Sequence, residues 1–129
     1  MLDTDTCSYI IKENPQSIVD KFWEHKDDDI CISVITYCEL LYGAMHKNAN
    51  VLLEKINVFT SKIRIADFPS SAAEDYADIR NTLEKQGMTI GNLDILIASH
   101  ARNIGAIIVT NNERHFLVVP ELIVENWSK

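Results

Sequence analysis

GNLDILIASHARNIGAIIVTNN, running from Gly91 to Asn112, holds two periodicities in succession. Gly91-Asn92 opens an apolar helix that carries Leu96, Ile97, His100 and Ile104. Gly105 ends it, because glycine takes the left-handed conformation of a helix C-terminus without steric cost. Ala106 to Val109 then reads as a strand, unbroken and apolar, as expected where both faces of a sheet are covered. Thr110-Asn111-Asn112 closes that strand with polar side chains.

The same alternation extends toward the N-terminus. Met1-Leu2 is a very short first strand that ends at Asp3-Thr4-Asp5, and a helix follows through Tyr9-Ile10-Ile11. Asn14 is expected to cap a second helix with Pro15 at its first position. Ile18, Val19, Phe22 and Trp23 fall on one face of that helix. Ile30-Cys31-Ile32 is a short buried strand. The next helix places Val34, Tyr37, Cys38, Leu41, Tyr42 and Met45 at helical spacing, which predicts one continuous core stripe. Another helix spans about Ala49 to Phe59, with Leu52, Ile56 and Phe59 inward. Ile63 to Ala66 reads as a third strand ending at Asp67. Ser71 and Glu74 have capping-box spacing ahead of a long helix that turns Ala72, Tyr76, Ile79 and Leu83 inward. That helix stops near Gly87, and a last short strand falls at Ile123 to Glu125. Strands alternating with helices predict a three-layer α/β/α fold with a mainly parallel sheet. With 129 residues and neither a repeat nor a linker-like tract, the chain is expected to form one domain over residues 1–129.

Composition narrows the class. A 47% hydrophobic and 24% charged chain is ordinary for a soluble globular protein. It has no apolar run near the ~20 residues that span a bilayer, and no signal-peptide pattern, so a cytoplasmic location is expected. Cys7, Cys31 and Cys38 form no C-x-x-C pair and lie among apolar residues, which disfavours zinc and suits a reducing compartment. His25, His46, His100 and His115 are scattered without ligand spacing. His100, on an apolar helix, reads as structural. His115 and Arg114 follow Asn112 and could reach a phosphate, although a solvated loop is the ordinary fate of such residues. The formal net charge of −7 argues against a nucleic-acid partner unless the acids are gathered at a cation site and the bases form a local patch. Lys47, Lys55, Lys62 and Arg64 could form such a rim, although scattered surface charge is the default for such residues.

In open parallel sheets, ligands bind beyond the carboxyl ends of the strands. Asp3 and Asp5 follow the first strand, Asp67 the third, and Thr110-Asn111-Asn112 the fourth. Asp94 lies in the first turn of the helix before the fourth strand, where an acid would also satisfy the helix dipole. Glu39 lies away from the expected core stripe. Thr36 and Gly43 share its strip, one turn to either side, which would suit a cleft wall; an exposed helical glutamate is the plainer reading. Two carboxylates 4 Å apart repel by about 4 kcal/mol at an effective dielectric near 20. A divalent cation removes that cost, and all-oxygen ligands favour Mg²⁺ or Mn²⁺. Such an ion can activate water against a phosphodiester.

Four segments together resemble the PIN-domain ribonucleases, and among them the VapC toxins of toxin–antitoxin pairs. They are Met1-Leu2-Asp3-Thr4-Asp5-Thr6-Cys7; Ser33-Val34-Ile35-Thr36-Tyr37-Cys38-Glu39-Leu40 with Gly43; Gly91-Asn92-Leu93-Asp94-Ile95-Leu96-Ile97-Ala98; and Val109-Thr110-Asn111-Asn112. The resemblance implies a Mg²⁺-dependent endoribonuclease with Asp3, Glu39 and Asp94 catalytic. Asp3 and Asp94 would be the principal metal ligands, and Glu39 would complete the site. Thr36 and Thr110 would orient the acids. Asn112 stands where a fourth acid often occurs, and Asp5 where close relatives often carry Asn, so the roles of both stay open. The resemblance further implies a tRNA substrate, with the initiator-tRNA anticodon stem-loop as the specific expectation. It also implies a VapB antitoxin, a toxin homodimer, and promoter DNA bound only through the antitoxin. Two other readings compete. A phospho-accepting receiver domain would want a lysine where Thr110-Asn111 stands. A catalytically idle PIN-like scaffold is disfavoured by the complete Asp3/Glu39/Asp94 set.

Overall fold

The computed structural model describes all 129 residues. Its elements in chain order are α1 (Thr4–Lys12), α2 (Gln16–Glu24), β1 (Cys31–Ser33), α3 (Val34–His46), α4 (Asn50–Thr60), β2 (Arg64–Ala66), α5 (Ala72–Lys85), α6 (Asn92–Ile104), β3 (Ile108–Val109), α7 (Glu113–Phe116) and β4 (Val124–Glu125). Leu2 forms the sheet's centre as a single bridging residue, parallel to Ile32 on one side and Val109 on the other. β1 pairs in parallel with β2, and β3 with β4. The order across the sheet is therefore β2, β1, Leu2, β3, β4, and every pairing is parallel.

Strand geometry sends successive side chains to opposite faces, and the two cores follow from that alternation. Leu2, Ile32 and Val109 point into a core with Cys7, Ile10, Ile18, Phe22, Leu40, Ile56 and Phe59 from α1 to α4. Met1, Cys31 and Ile108 point the other way, into a core with Ile79, Leu83, Ile97, Ala98 and Phe116 from α5 to α7. Both faces are covered at the central strands, which explains why β1 and β3 are buried throughout, whereas the edge strands β2 and β4 expose Arg64 and Glu125. The fold is the three-layer α/β/α arrangement expected from the sequence.

Three local expectations fail, each for a physical reason. The predicted core stripe of α3 is offset: Thr36, Leu40 and Ala44 are buried, while Cys38 is exposed and Tyr42 and Met45 are 67% and 70% exposed. Tyr37 and Leu41 of that stripe still pack, partly buried, against the first core, while Cys38, Tyr42 and Met45 face outward. Pro15 occupies the N-cap of α2 in extended backbone, so Asn14 lies one residue too early to cap. Ser71 has helical backbone and makes no cap; its hydroxyl bonds Asn103 Oδ1 instead, at 3.2 Å. In α6, Ile97 and His100 are buried, whereas Ile104 is 42% exposed. Gly105 ends that helix in the left-handed conformation (φ 69°), as its residue type requires.

Candidate active site

The chain runs from Leu2 outward to β1 and β2, then returns to the other side of Leu2 for β3 and β4. The order reverses at the centre, and Asp3 emerges at that reversal. Its backbone N–H donates to Val109 O at 3.0 Å, which locks it against β3. Asp3 is also the N-cap of α1, and its Oδ1 accepts from the Thr6 N–H at 2.9 Å. Its Oδ2 accepts from the Thr110 hydroxyl at 2.5 Å. Thr110 follows β3 directly, and its oxygen in turn accepts from the Asn112 N–H at 2.8 Å. Asp3 is only 4% exposed. Burial pushes its carboxyl up to about 6, and the charge of Asp5 adds to the rise. The bonds from Thr110 and Thr6 oppose that rise without cancelling it.

Glu39 sits in α3, half-buried, and its Oε1 accepts from the Thr4 hydroxyl at 2.6 Å. It is not the exposed glutamate of the plainer reading. Burial raises its carboxyl above the ordinary range, and the charges of Asp94 and Asp5 push the same way. Thr36, buried one turn earlier, receives a longer contact of 3.3 Å from the same Thr4 hydroxyl. Thr4 therefore pins α1 to α3 beside Glu39. Sequence reasoning passed over this residue, although its place directly after Asp3 was the available signal.

Asp94 does not cap α6. Gly91 holds the N-cap position without a side-chain bond, and Asp94 Oδ2 instead lies 2.8 Å from His115 Nδ1. The one-turn helix α7 brings His115 back to this edge. Its Nδ1 also lies 2.9 Å from the Asn112 side-chain amide. A carboxylate oxygen can only accept, so Nδ1 must carry the proton. The amide atom facing Nδ1 must then be the Asn112 carbonyl oxygen, and the NH₂ group turns away from the ring. Asn112 thus spends its oxygen on His115 and presents two N–H donors elsewhere. His115, which the sequence reading assigned to a solvated loop, is a member of this constellation. The spacing Asn112-x-x-His115, one helical turn, was its only trace. Asp67, at the end of β2, is exposed and makes none of these bonds.

The edge thus gathers Asp3, Asp5, Glu39 and Asp94 in one electrostatic neighbourhood. Every donor aimed at Asp3 and Glu39 is a neutral hydroxyl or backbone N–H. No three acidic, histidine or cysteine side chains are close enough to enclose an ion by themselves. That donor set fits Mg²⁺ or Mn²⁺, which keep several waters and use one or two carboxylates together with substrate phosphate oxygens. It does not fit zinc, which wants a closed nitrogen and sulfur cage.

Parallel strands, a central reversal and a carboxylate-lined edge define an α/β domain with an acidic site at its switch point. A family model described as PIN domain matches residues 1–122. Over its whole length the chain is 40% identical to "Ribonuclease VapC2" of Rickettsia felis, covering 98% of that protein. It is 41% identical to "tRNA(fMet)-specific endonuclease VapC" of Shigella flexneri, covering 99% of this chain and 97% of that one. Among solved structures, VapBC2 from Rickettsia felis bound to a DNA fragment from its promoter matches with a TM-score of 0.93. The identity there is 39%, over 98% of this chain and 97% of that chain. The chain belongs to the PIN-domain family and, within it, to the VapC group of ribonucleases. No helix is long and apolar enough to cross a membrane.

Proposed function

We propose that this chain is a divalent-metal-dependent endoribonuclease toxin, with Asp3, Glu39 and Asp94 catalytic. The observation that carries the reading is the strained chemistry of Asp3. A carboxyl buried at the sheet's reversal, raised to about 6 beside other acids, wants a cation. Asp3 and Asp94 would hold Mg²⁺, or Mn²⁺ in its place, and Glu39 would complete the shell directly or through water. When bound, the ion supplies charge neutralisation at the scissile phosphate and a water acidic enough to attack near neutral pH. The chain's own residues do the rest. Thr110 and the Thr6 N–H fix both oxygens of Asp3, so the carboxylate meets the ion already oriented. Thr4 does the same for Glu39, and His115 for Asp94. Asn112 turns its NH₂ outward as a donor for a phosphate oxygen rather than acting as a metal ligand. Asp5 adds negative charge that deepens cation attraction.

The substrate is tRNA, specifically the anticodon stem-loop of initiator tRNA, in line with the name of the Shigella flexneri relative. A VapB antitoxin neutralises the toxin, which is a cytoplasmic homodimer and meets promoter DNA only through that antitoxin. The Rickettsia felis VapBC2 complex supports the antitoxin partner by likeness. The test is expression of the wild type and of Asp3→Asn and Asp94→Asn, with new RNA 5′ ends mapped. A few discrete cuts are expected, absent in both variants and after metal chelation. Cutting by the variants equal to that of the wild type would refute the acid assignment.

A further inference from the structure

Two rows of side chains lead away from the acid edge. On α1 they are Thr4, Ser8 and Lys12; on α3 they are Glu39 and Gly43, continued by Lys47 at its C-cap. Each row steps by four residues, so each lies along one helix face. α1 and α3 both start at the carboxyl edge of the sheet and are pinned there by the Thr4–Glu39 bond of 2.6 Å. All six residues line one cavity of about 100 Å³, with Leu40 and Ile56 among its apolar lining.

Gly43 is the telling member. It lies inside a helix, where glycine is the least favourable residue after proline. Its φ is ordinary, and a Cβ built on it meets no atom within 4 Å. Neither backbone conformation nor internal packing requires a glycine there. The open space over it belongs to the cavity. At the far end, Lys12 and Lys47 are exposed and make no ion pair or hydrogen bond, so their charge is available to an incoming group. On a chain of net charge −7, two free cations at the mouth of a groove that begins at Glu39 mark it for an anionic polymer.

We propose that this groove is the track of the RNA strand on one side of the scissile phosphodiester. Lys12 and Lys47 hold a backbone phosphate, and Gly43 lets the strand lie close against α3. Eight residues of helix span about 12 Å, which is about three nucleotides at ~3.4 Å per stacked nucleotide. The proposal rests on the ribonuclease reading and adds its binding subsite.

The experiment uses the full chain and a fluorescein-labelled initiator-tRNA anticodon stem-loop. Binding is measured by anisotropy in EDTA across a salt series, and cleavage with Mg²⁺. Lys12→Ala/Lys47→Ala is expected to bind roughly tenfold more weakly and to lose about one unit of salt slope per lysine, with its affinity for Mn²⁺ unchanged. Gly43→Leu is expected to raise KM with a melting temperature no lower than that of the wild type, a result that separates a blocked groove from a damaged fold. If the wild type cuts this RNA and both variants match it in affinity, slope and KM, the groove assignment is overturned alone. If the lysine variant keeps its RNA affinity but binds an antitoxin-derived peptide less well, the groove belongs to a protein partner and the proposal is overturned. If the wild type neither binds nor cuts RNA, the ribonuclease reading has failed first.

Discussion

Asp3 Oδ2 and the Thr110 hydroxyl lie 2.5 Å apart across 107 positions of sequence. The hydroxyl stabilises the ionised form of a carboxylate that burial drives toward neutrality. Thr110→Val keeps the shape and removes the donor. Asp3 should then ionise at a still higher pH, and Mn²⁺ affinity should fall about 10- to 100-fold. The acid limb of the cleavage profile should move upward. Isothermal titration with Mn²⁺ and a pH–rate series check both effects.

The raised carboxyl of Asp3 also sets how the metal-free protein responds to pH. Its folded value, about 6, lies above the 3.8 of a free aspartate. The folded state therefore holds the proton more tightly than the unfolded state does. This contribution to stability is full below about pH 3.8 and is lost as pH rises through about 6. The difference is on the order of 3 kcal/mol. Asp3→Asn should abolish cleavage yet raise the melting temperature in chelator at pH 7.5 by about 5–10 °C. The gain should vanish near pH 3.5. Calorimetry at the two pH values decides it; a variant less stable at both would contradict the assigned strain.

His115 is expected to act through Asp94. His115→Ala should lower Mn²⁺ affinity about 10- to 100-fold, with kcat falling alongside. His115→Asn, whose amide N–H can stand in for Nδ1–H, should recover most of that affinity. Equal loss in both variants would mean that the ring only fills space.

Much of this was legible in the sequence. Gly105 followed by an unbroken apolar strand marked a sheet covered on both faces, and strand-end position alone put Asp3 at the edge. Other features were not readable because they depend on partners distant in sequence. Ser71 looked like a cap, yet its backbone is already helical and its hydroxyl goes to Asn103, 32 residues on. His115 carried no ligand spacing, because its partner Asp94 is 21 residues away and only α7 brings them together. The α3 stripe is apolar as its periodicity implies, but only Tyr37 and Leu41 meet the core, since periodicity reports a face and not what covers it.

The outward part of that stripe supports a further expectation. Cys38, Tyr42 and Met45 fall on one exposed face of α3, and exposed apolar patches of this kind mark protein contacts. Tyr42→Glu/Met45→Glu should lower the stability of the monomer only slightly, because both side chains are about two-thirds exposed and Tyr42 meets only the His46 ring on its own helix. If α3 forms the proposed homodimer contact, the same variant should shift the particle from dimer to monomer in light scattering. A variant that stays dimeric would place the dimer contact on another face.

The single-residue centre of the sheet has a consequence for biosynthesis. Leu2 binds Cys31 O through its N–H, while Val109 N–H reaches Met1 O and Asp3 N–H reaches Val109 O. The first carboxylate and its hydroxyl therefore wait for one another through most of translation. Thr110 is reached only after α1 to α6 have been synthesised, so the acid edge closes around Asp3 near the end of chain synthesis.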